Sequence, residues 1–212
     1  MQTQTKESQS NTTPESALAQ LKSGNERFLN NKQVSRDLLK QVDETSGSQF
    51  PFAAILSCID SRVSSELIFD QGIGDVFSIR IAGNFVNSDI LGSMEFSCKA
   101  AGSKLIVVLG HTSCGAVKGA CDHVELGNLT GMLDNISPAV DAVQDVEGER
   151  NSGNLKFVNR VAEVNVSNTI ERIKQESPVL NEMLNNGEIG IVGAMYDVAT
   201  GKVEFGEIIT GK

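Results

Sequence analysis

The feature that most limits the possible folds is a recurring short apolar run: "FPFAAILS" (50–57), "DVFSIRIAG" (75–83, interrupted by Ser78 and Arg80) and "SKLIVVLGH" (103–111). Such runs are too short for a packed helix and match strands buried on both faces. A helical stretch, "SDILGSMEFSCKAAG" (88–102), separates the second run from the third. Strand, helix and strand in this rhythm predict a parallel sheet with right-handed crossovers.

The rest of the chain extends this pattern. Thr13, Pro14 and Glu15 form a helix start, and Leu18, Leu21 and Phe28 continue at helical spacing towards Asn30, as in an arm or lid helix. Residues 43–49, "DETSGSQ", read as a loop. A long amphipathic helix is expected over 155–175, with a shorter one from Pro178. The segment "EIGIVGAMYDVATGKVEFGEII" (188–209) reads as two strands around "ATGK", a hairpin at a sheet edge. The expectation is one α/β domain over 13–212: a mainly parallel central sheet flanked by helices, an N-terminal helical arm and a C-terminal edge hairpin. Residues 1–12 are polar and read as a disordered tail.

With 212 residues, 40% of them hydrophobic, the chain can bury a core without staples. A formal charge of −9 argues against nucleic acid and anionic membranes as partners. No apolar stretch approaches the roughly 20 residues that span a bilayer, and the N-terminus has no apolar signal core. The expected location is cytoplasmic, or periplasmic if a signal peptide has been removed. Cys58, Cys98, Cys114 and Cys121 are too few and too irregularly spaced for a secreted disulfide framework.

Two motifs directly follow predicted strands: "CIDSR" (58–62) and "GHTSCG" (110–115). Ligands collect at the carboxyl ends of strands in open parallel sheets. Neighbouring strands would bring Cys58 close to His111 and Cys114, a donor set that suits zinc and leaves one position open, as catalytic zinc sites do. Asp60 could be the fourth ligand, or the acceptor for a zinc-bound water with Arg62 as its bidentate partner. Blander readings exist for each residue: Cys58 as a small buried hydrophobe, Asp60 as a helix N-cap, His111 as a core histidine. The two motifs at strand ends of one sheet favour the metal. Cys98 reads as core, the Cys121–His123 pair as helix packing, and the acidic stretch 141–149 as a solvated face or loop.

These motifs resemble the β-class carbonic anhydrases, whose C-x-D-x-R and H-x-x-C are matched by Cys58, Asp60, Arg62, His111 and Cys114. "RIAGN" (80–84), "GSMEF" (92–96), "LIVVLGHTSCGAV" (105–117) and "VGAMYDVATGKV" (192–203) look like further family segments, so the resemblance runs from about Thr13 to the C-terminus. It implies one zinc ion per subunit and reversible hydration of carbon dioxide to bicarbonate and a proton, by zinc-bound hydroxide attack in an apolar pocket; because two thiolates donate more charge to the ion than imidazoles would, the bound water's pKa is expected to lie higher than in an all-histidine site and the activity to climb with pH. It further implies that Gln49 donates a hydrogen bond to substrate, that the Gly115 N–H faces the bound anion, and that Phe77 and Ala82 wall the pocket. Part of that pocket comes from a partner subunit, so a dimer is the minimal unit, often paired into a tetramer. The family also suggests that Asp60 occupies the fourth zinc position at lower pH.

The chain departs from many members in carrying "VSSE" (63–66) where they have proline. It also lacks tryptophan, which some members use with an arginine at the position of Arg80 to bind inhibitory bicarbonate. Two other readings of the same ligands stay open. One is hydrolysis of carbonyl sulfide or carbon disulfide; the other is a non-enzymatic binding module or bicarbonate sensor whose zinc is structural, closed by Asp60.

Overall fold

The first and third apolar runs become the centre of a sheet. In the computed structural model, which describes residues 3–211, β1 (Ala53–Ser57) and β3 (Leu105–His111) are buried along their whole lengths. β2 (Val76–Arg80) pairs parallel with β1 and forms one edge. β1 pairs parallel with β3, and β3 with β4 (Gly190–Tyr196). β5 (Val203–Phe205) and β6 (Ile209–Thr210) both pair antiparallel with β4, giving the order β2-β1-β3-β4-β5. The edge hairpin around 199–202 is present, and only this end of the sheet is antiparallel.

The helices are α1 (Lys6–Ser10), α2 (Pro14–Leu29), α3 (Leu38–Thr45), α4 (Ser65–Ile68), α5 (Ser88–Glu95), α6 (Gly115–Cys121), α7 (Gly127–Leu133), α8 (Ser137–Ala142), α9 (Leu155–Glu176) and α10 (Pro178–Asn185). α2 starts where the sequence signals it: Thr13 and Ser16 form a reciprocal capping box and Pro14 opens the first turn. α9 is capped by Asn154 and α10 by Ser177. The helical stretch 88–102 is two pieces, α5 followed by a π-helical turn (Phe96–Ala100) that contains buried Cys98.

Alternation inside the unbroken runs separates two cores. Ala54, Leu56, Ile106 and Val108 face α5, α9 and α10. Ala53, Ile55, Leu105, Val107 and Leu109 face the other way, covered by Ala17, Leu18 and Leu21 of α2 with Phe52 and Phe69. A third cluster lies past the carboxyl ends of the strands, where Cys58 and Cys114 pack with Val117, Ile136, Phe157 and Val161.

Two N-terminal segments differ from expectation. Within the segment read as a tail, α1 carries its own capping box between Thr5 and Ser8. Buried Gln9 docks it, donating to Pro51 O and Ala101 O at 2.8 Å each. The loop expected at 43–49 is shorter, because residues 43–45 form the last turn of α3, capped by Asp37.

Candidate metal centre

The register of β1 with β3 pairs Ser57 with Leu109, so the two motifs leave the sheet side by side. Three donor atoms meet there: Cys58 Sγ, Cys114 Sγ and a ring nitrogen of His111 lie within 4.8 Å of one another, all on buried residues. The sulfurs are 3.9 Å apart. Two sulfurs held about 2.3 Å from one tetrahedral ion would stand about 3.8 Å apart.

His111 is fully buried. Its Nδ1 lies 2.9 Å from Thr112 O, a bond that places the proton on Nδ1. Nε2 then presents a lone pair, and it is buried with no hydrogen-bond partner. An orphaned nitrogen facing two thiols is the arrangement a metal ion completes, so the residues present fit zinc.

The loop between His111 and Cys114 is pinned from three elements. The Thr112 N–H donates to Tyr196 O at 2.9 Å, and the Thr112 hydroxyl donates to Asp197 and accepts from the Val198 N–H. Ser113 adopts a left-handed conformation (φ 56°), and its N–H donates to Asn159 Oδ1 of α9 at 2.9 Å. Cys114 then occupies the N-cap position of α6, where the N–H groups of Ala116 and Val117 favour its thiolate.

The two sulfurs lie within hydrogen-bonding distance of each other. The Cys114 thiol donating to Cys58, helped by the N–H groups of Gly83 and Asp60, outweighs burial and lowers the Cys58 pKa. The shared bond, together with burial, pushes Cys114 up.

Asp60 is not an N-cap; Ser64 holds the N-cap position of α4. Its carboxylate accepts from Arg62 Nε at 2.9 Å, Arg62 Nη2 at 2.8 Å and the Arg62 N–H at 3.0 Å. These bonds outweigh partial burial and hold the Asp60 carboxyl well below the usual carboxylate range. Asp60 Oδ2 stands 3.9 Å from His111 Nε2, beside the cluster.

The remaining expected residues divide in two. Gly115 opens α6 directly after Cys114, and a Cβ added there would meet open space. Ala82 precedes Gly83, whose N–H reaches Cys58 Sγ at 3.4 Å. Gln49 and Phe77 lie elsewhere in this chain. Gln49 is exposed in the loop before β1, at the end opposite Cys58. Phe77 pairs in register with Ala54, about 13 Å along the strand from Cys58. It walls a groove of about 610 Å³ with Phe96, which it meets edge-on at 6.1 Å. Cys121 is buried in the third apolar cluster and His123 is exposed. Thr112, Asn159, Asp197 and Gly83 went unnoticed in the sequence, although the left-handed tendency of Gly and Asn in "AGN" marks one of the turns.

Residues 53–203 match the family model described as carbonic anhydrase. The chain is 36% identical over 200 residues to carbonic anhydrase 2 of Mycobacterium tuberculosis, covering 91% of this chain and 92% of that protein. It is 34% identical over 197 residues to a carbonic anhydrase of Mycolicibacterium smegmatis, covering 92% and 94%. Among solved structures, the β-carbonic anhydrase CafA of Aspergillus fumigatus superposes with a TM-score of 0.68 at 26% identity, covering 91% and 90%. A tetrameric β-carbonic anhydrase of Sordaria macrospora shares the fold, with a TM-score of 0.66 at 24% identity, covering 80% and 91%.

Proposed function

The chain belongs to the β-class carbonic anhydrases, and from that membership we propose that it hydrates carbon dioxide reversibly at a zinc centre held by Cys58, His111 and Cys114, one ion per subunit. The observation that carries this reading is the buried, unpartnered His111 Nε2 facing two sulfurs beside the Asp60–Arg62 pair. Zinc bound there supplies Lewis acidity, which lowers the pKa of a coordinated water from about 15.7 to near neutrality.

The chain's own residues do the aiming. Asp60, kept ionised by Arg62, accepts a hydrogen bond from the attacking oxygen and so turns its lone pair towards the carbon of carbon dioxide. The Gly115 N–H, the first of α6, is assigned as the donor to the substrate oxygen as it gains charge. Ala82 provides apolar wall beside Cys58, which suits a substrate without charge or net dipole. Both Asp60 oxygens are engaged by Arg62, an arrangement that supports an open site over one closed by Asp60.

Gln49 and Phe77 serve the pocket of a second subunit, so the working unit is a dimer or a pair of dimers. The tetrameric Sordaria relative supports self-association. So do the exposed apolar side chains Leu38, Leu39 and Val42 on α3. Among the described residues no helix is long and apolar enough to cross a membrane, and four free cysteines suit a reducing compartment such as the cytoplasm.

The test is stopped-flow turnover of carbon dioxide by zinc-loaded protein, run beside hydrolysis of carbonyl sulfide. Rapid hydration with weak sulfide hydrolysis is expected. An enzyme that turns over only carbonyl sulfide, or neither substrate, would refute the assignment.

A further inference from the structure

The segment that carries both a metal donor and the proposed acceptor carboxylate is packed at Cys58 but not at the residue after it. Between Cys58 and Asp60 sits Ile59, whose side chain is 60% exposed. The parallel ladder between β1 and β2 closes at the Ile81 N–H, which donates to Ser57 O at 3.1 Å. Beyond that bond a side chain takes over. Arg80, opposite Ser57 in the register, donates from Nε to Cys58 O at 3.0 Å and from Nη2 to Asp60 O at 2.7 Å.

We infer that Arg80 is a positioning residue for the hydration reaction, clamping the two carbonyls that flank Ile59 and so fixing the Cys58 sulfur and the Asp60 carboxylate relative to each other. The inference rests on the reading of Asp60 as the acceptor carboxylate. Two arginines then divide the work. Arg62 holds the carboxylate itself, whereas Arg80 holds only the main chain behind it and touches neither substrate nor ion. A guanidinium suits the task because it is a rigid planar fork with several donors; a lysine ammonium is a single point and cannot reproduce the same two-carbonyl geometry. Small displacements matter here, since misplacing a reacting group by about 1 Å can reduce rate by about a hundredfold.

Arg80→Gln and Arg80→Lys would be compared with wild type, each zinc-loaded, for kcat and KM of carbon dioxide hydration and for zinc retention against a chelator. Amide hydrogen exchange over residues 59–62 and unfolding midpoints would be measured on the same samples. In Arg80→Gln, kcat should fall by about 10- to 100-fold with KM little changed, zinc retention should weaken about tenfold, and exchange over 59–62 should quicken. Arg80→Lys should recover only part of each, while unfolding midpoints stay close to wild type because Arg80 is exposed.

Values within about twofold of wild type for kcat, zinc retention and exchange in both variants would overturn the inference. So would losses that merely track a lowered unfolding midpoint. If Arg80→Gln fails to fold, the lysine variant decides by the same criteria. If wild type does not hydrate carbon dioxide, the hydration reading fails by itself, and zinc retention with exchange still decides whether Arg80 clamps the segment.

Discussion

His111 answers to two demands, one on each ring nitrogen. Nδ1–H donates to the Thr112 carbonyl, and that choice of tautomer leaves Nε2 buried without a partner. A buried nitrogen without a partner costs about 1–3 kcal/mol, a cost that a bound cation removes. Removing zinc by chelation should therefore lower the unfolding temperature, and returning zinc should restore it; a melting curve indifferent to zinc would contradict the assignment. Gly83 has a comparable double role. Its φ is +79°, its N–H meets Cys58 Sγ, and a Cβ there would fall 2.4 Å from Ile136 Cδ1. Gly83→Ala is expected to destabilise the protein by about 1–3 kcal/mol in urea unfolding and to speed zinc loss to a chelator.

Neighbouring strands, not sequence proximity, bring the donors together: β1 and β3 run parallel, Ser57 pairs with Leu109, and β3 continues two residues further to His111, so a thiol just after one strand meets an imidazole ending the other. This much was readable, because unbroken apolar runs announce buried strands and the reactive residues come directly after them. The supports of the site were not. Thr112, Asn159 and Asp197 act through turns that join remote segments, and no periodicity signals such bonds. The short α1 was missed for a similar reason: it is polar throughout and held by one buried amide, Gln9, with no apolar stripe to mark it. Gln49 and Phe77 matched family positions by residue type, but strand polarity puts them at the far end of the sheet from Cys58. Elsewhere buried Asn25 ties α2 to two other elements, donating to Ile68 O and Gly201 O while accepting from the Val203 N–H. Asn25→Ala should lower unfolding free energy by about 1–3 kcal/mol or more, since three backbone groups lose a partner at once. A change under about 0.5 kcal/mol would show that these bonds are readily replaced by water.

Across the molecule, acid acts at a site remote from the chemistry. Burial would raise the Asp70 pKa, but hydrogen bonds from Arg27 and Arg36 and the Val34 N–H outweigh it and bring the group down. A depressed folded pKa contributes stability that is present above the ordinary carboxylate value near 3.9 and is lost as pH falls through the folded value. Asp70→Asn should thus cost about 3 kcal/mol in urea at neutral pH, with the gap to wild type closing below about pH 4. A gap independent of pH would contradict the pairing. Gln49→Ala should reduce kcat/KM while zinc content stays at one per subunit, and a variant as active as wild type would remove Gln49 from the pocket. The most direct measurement is stopped-flow carbon dioxide hydration from mildly acidic to mildly alkaline pH by wild type and Asp60→Asn, with zinc content determined on the same samples. The account predicts rapid hydration by wild type that rises with pH, largely lost in Asp60→Asn although zinc is retained. Equal turnover by the two proteins at equal zinc content, or an inactive zinc-loaded wild type, would contradict it.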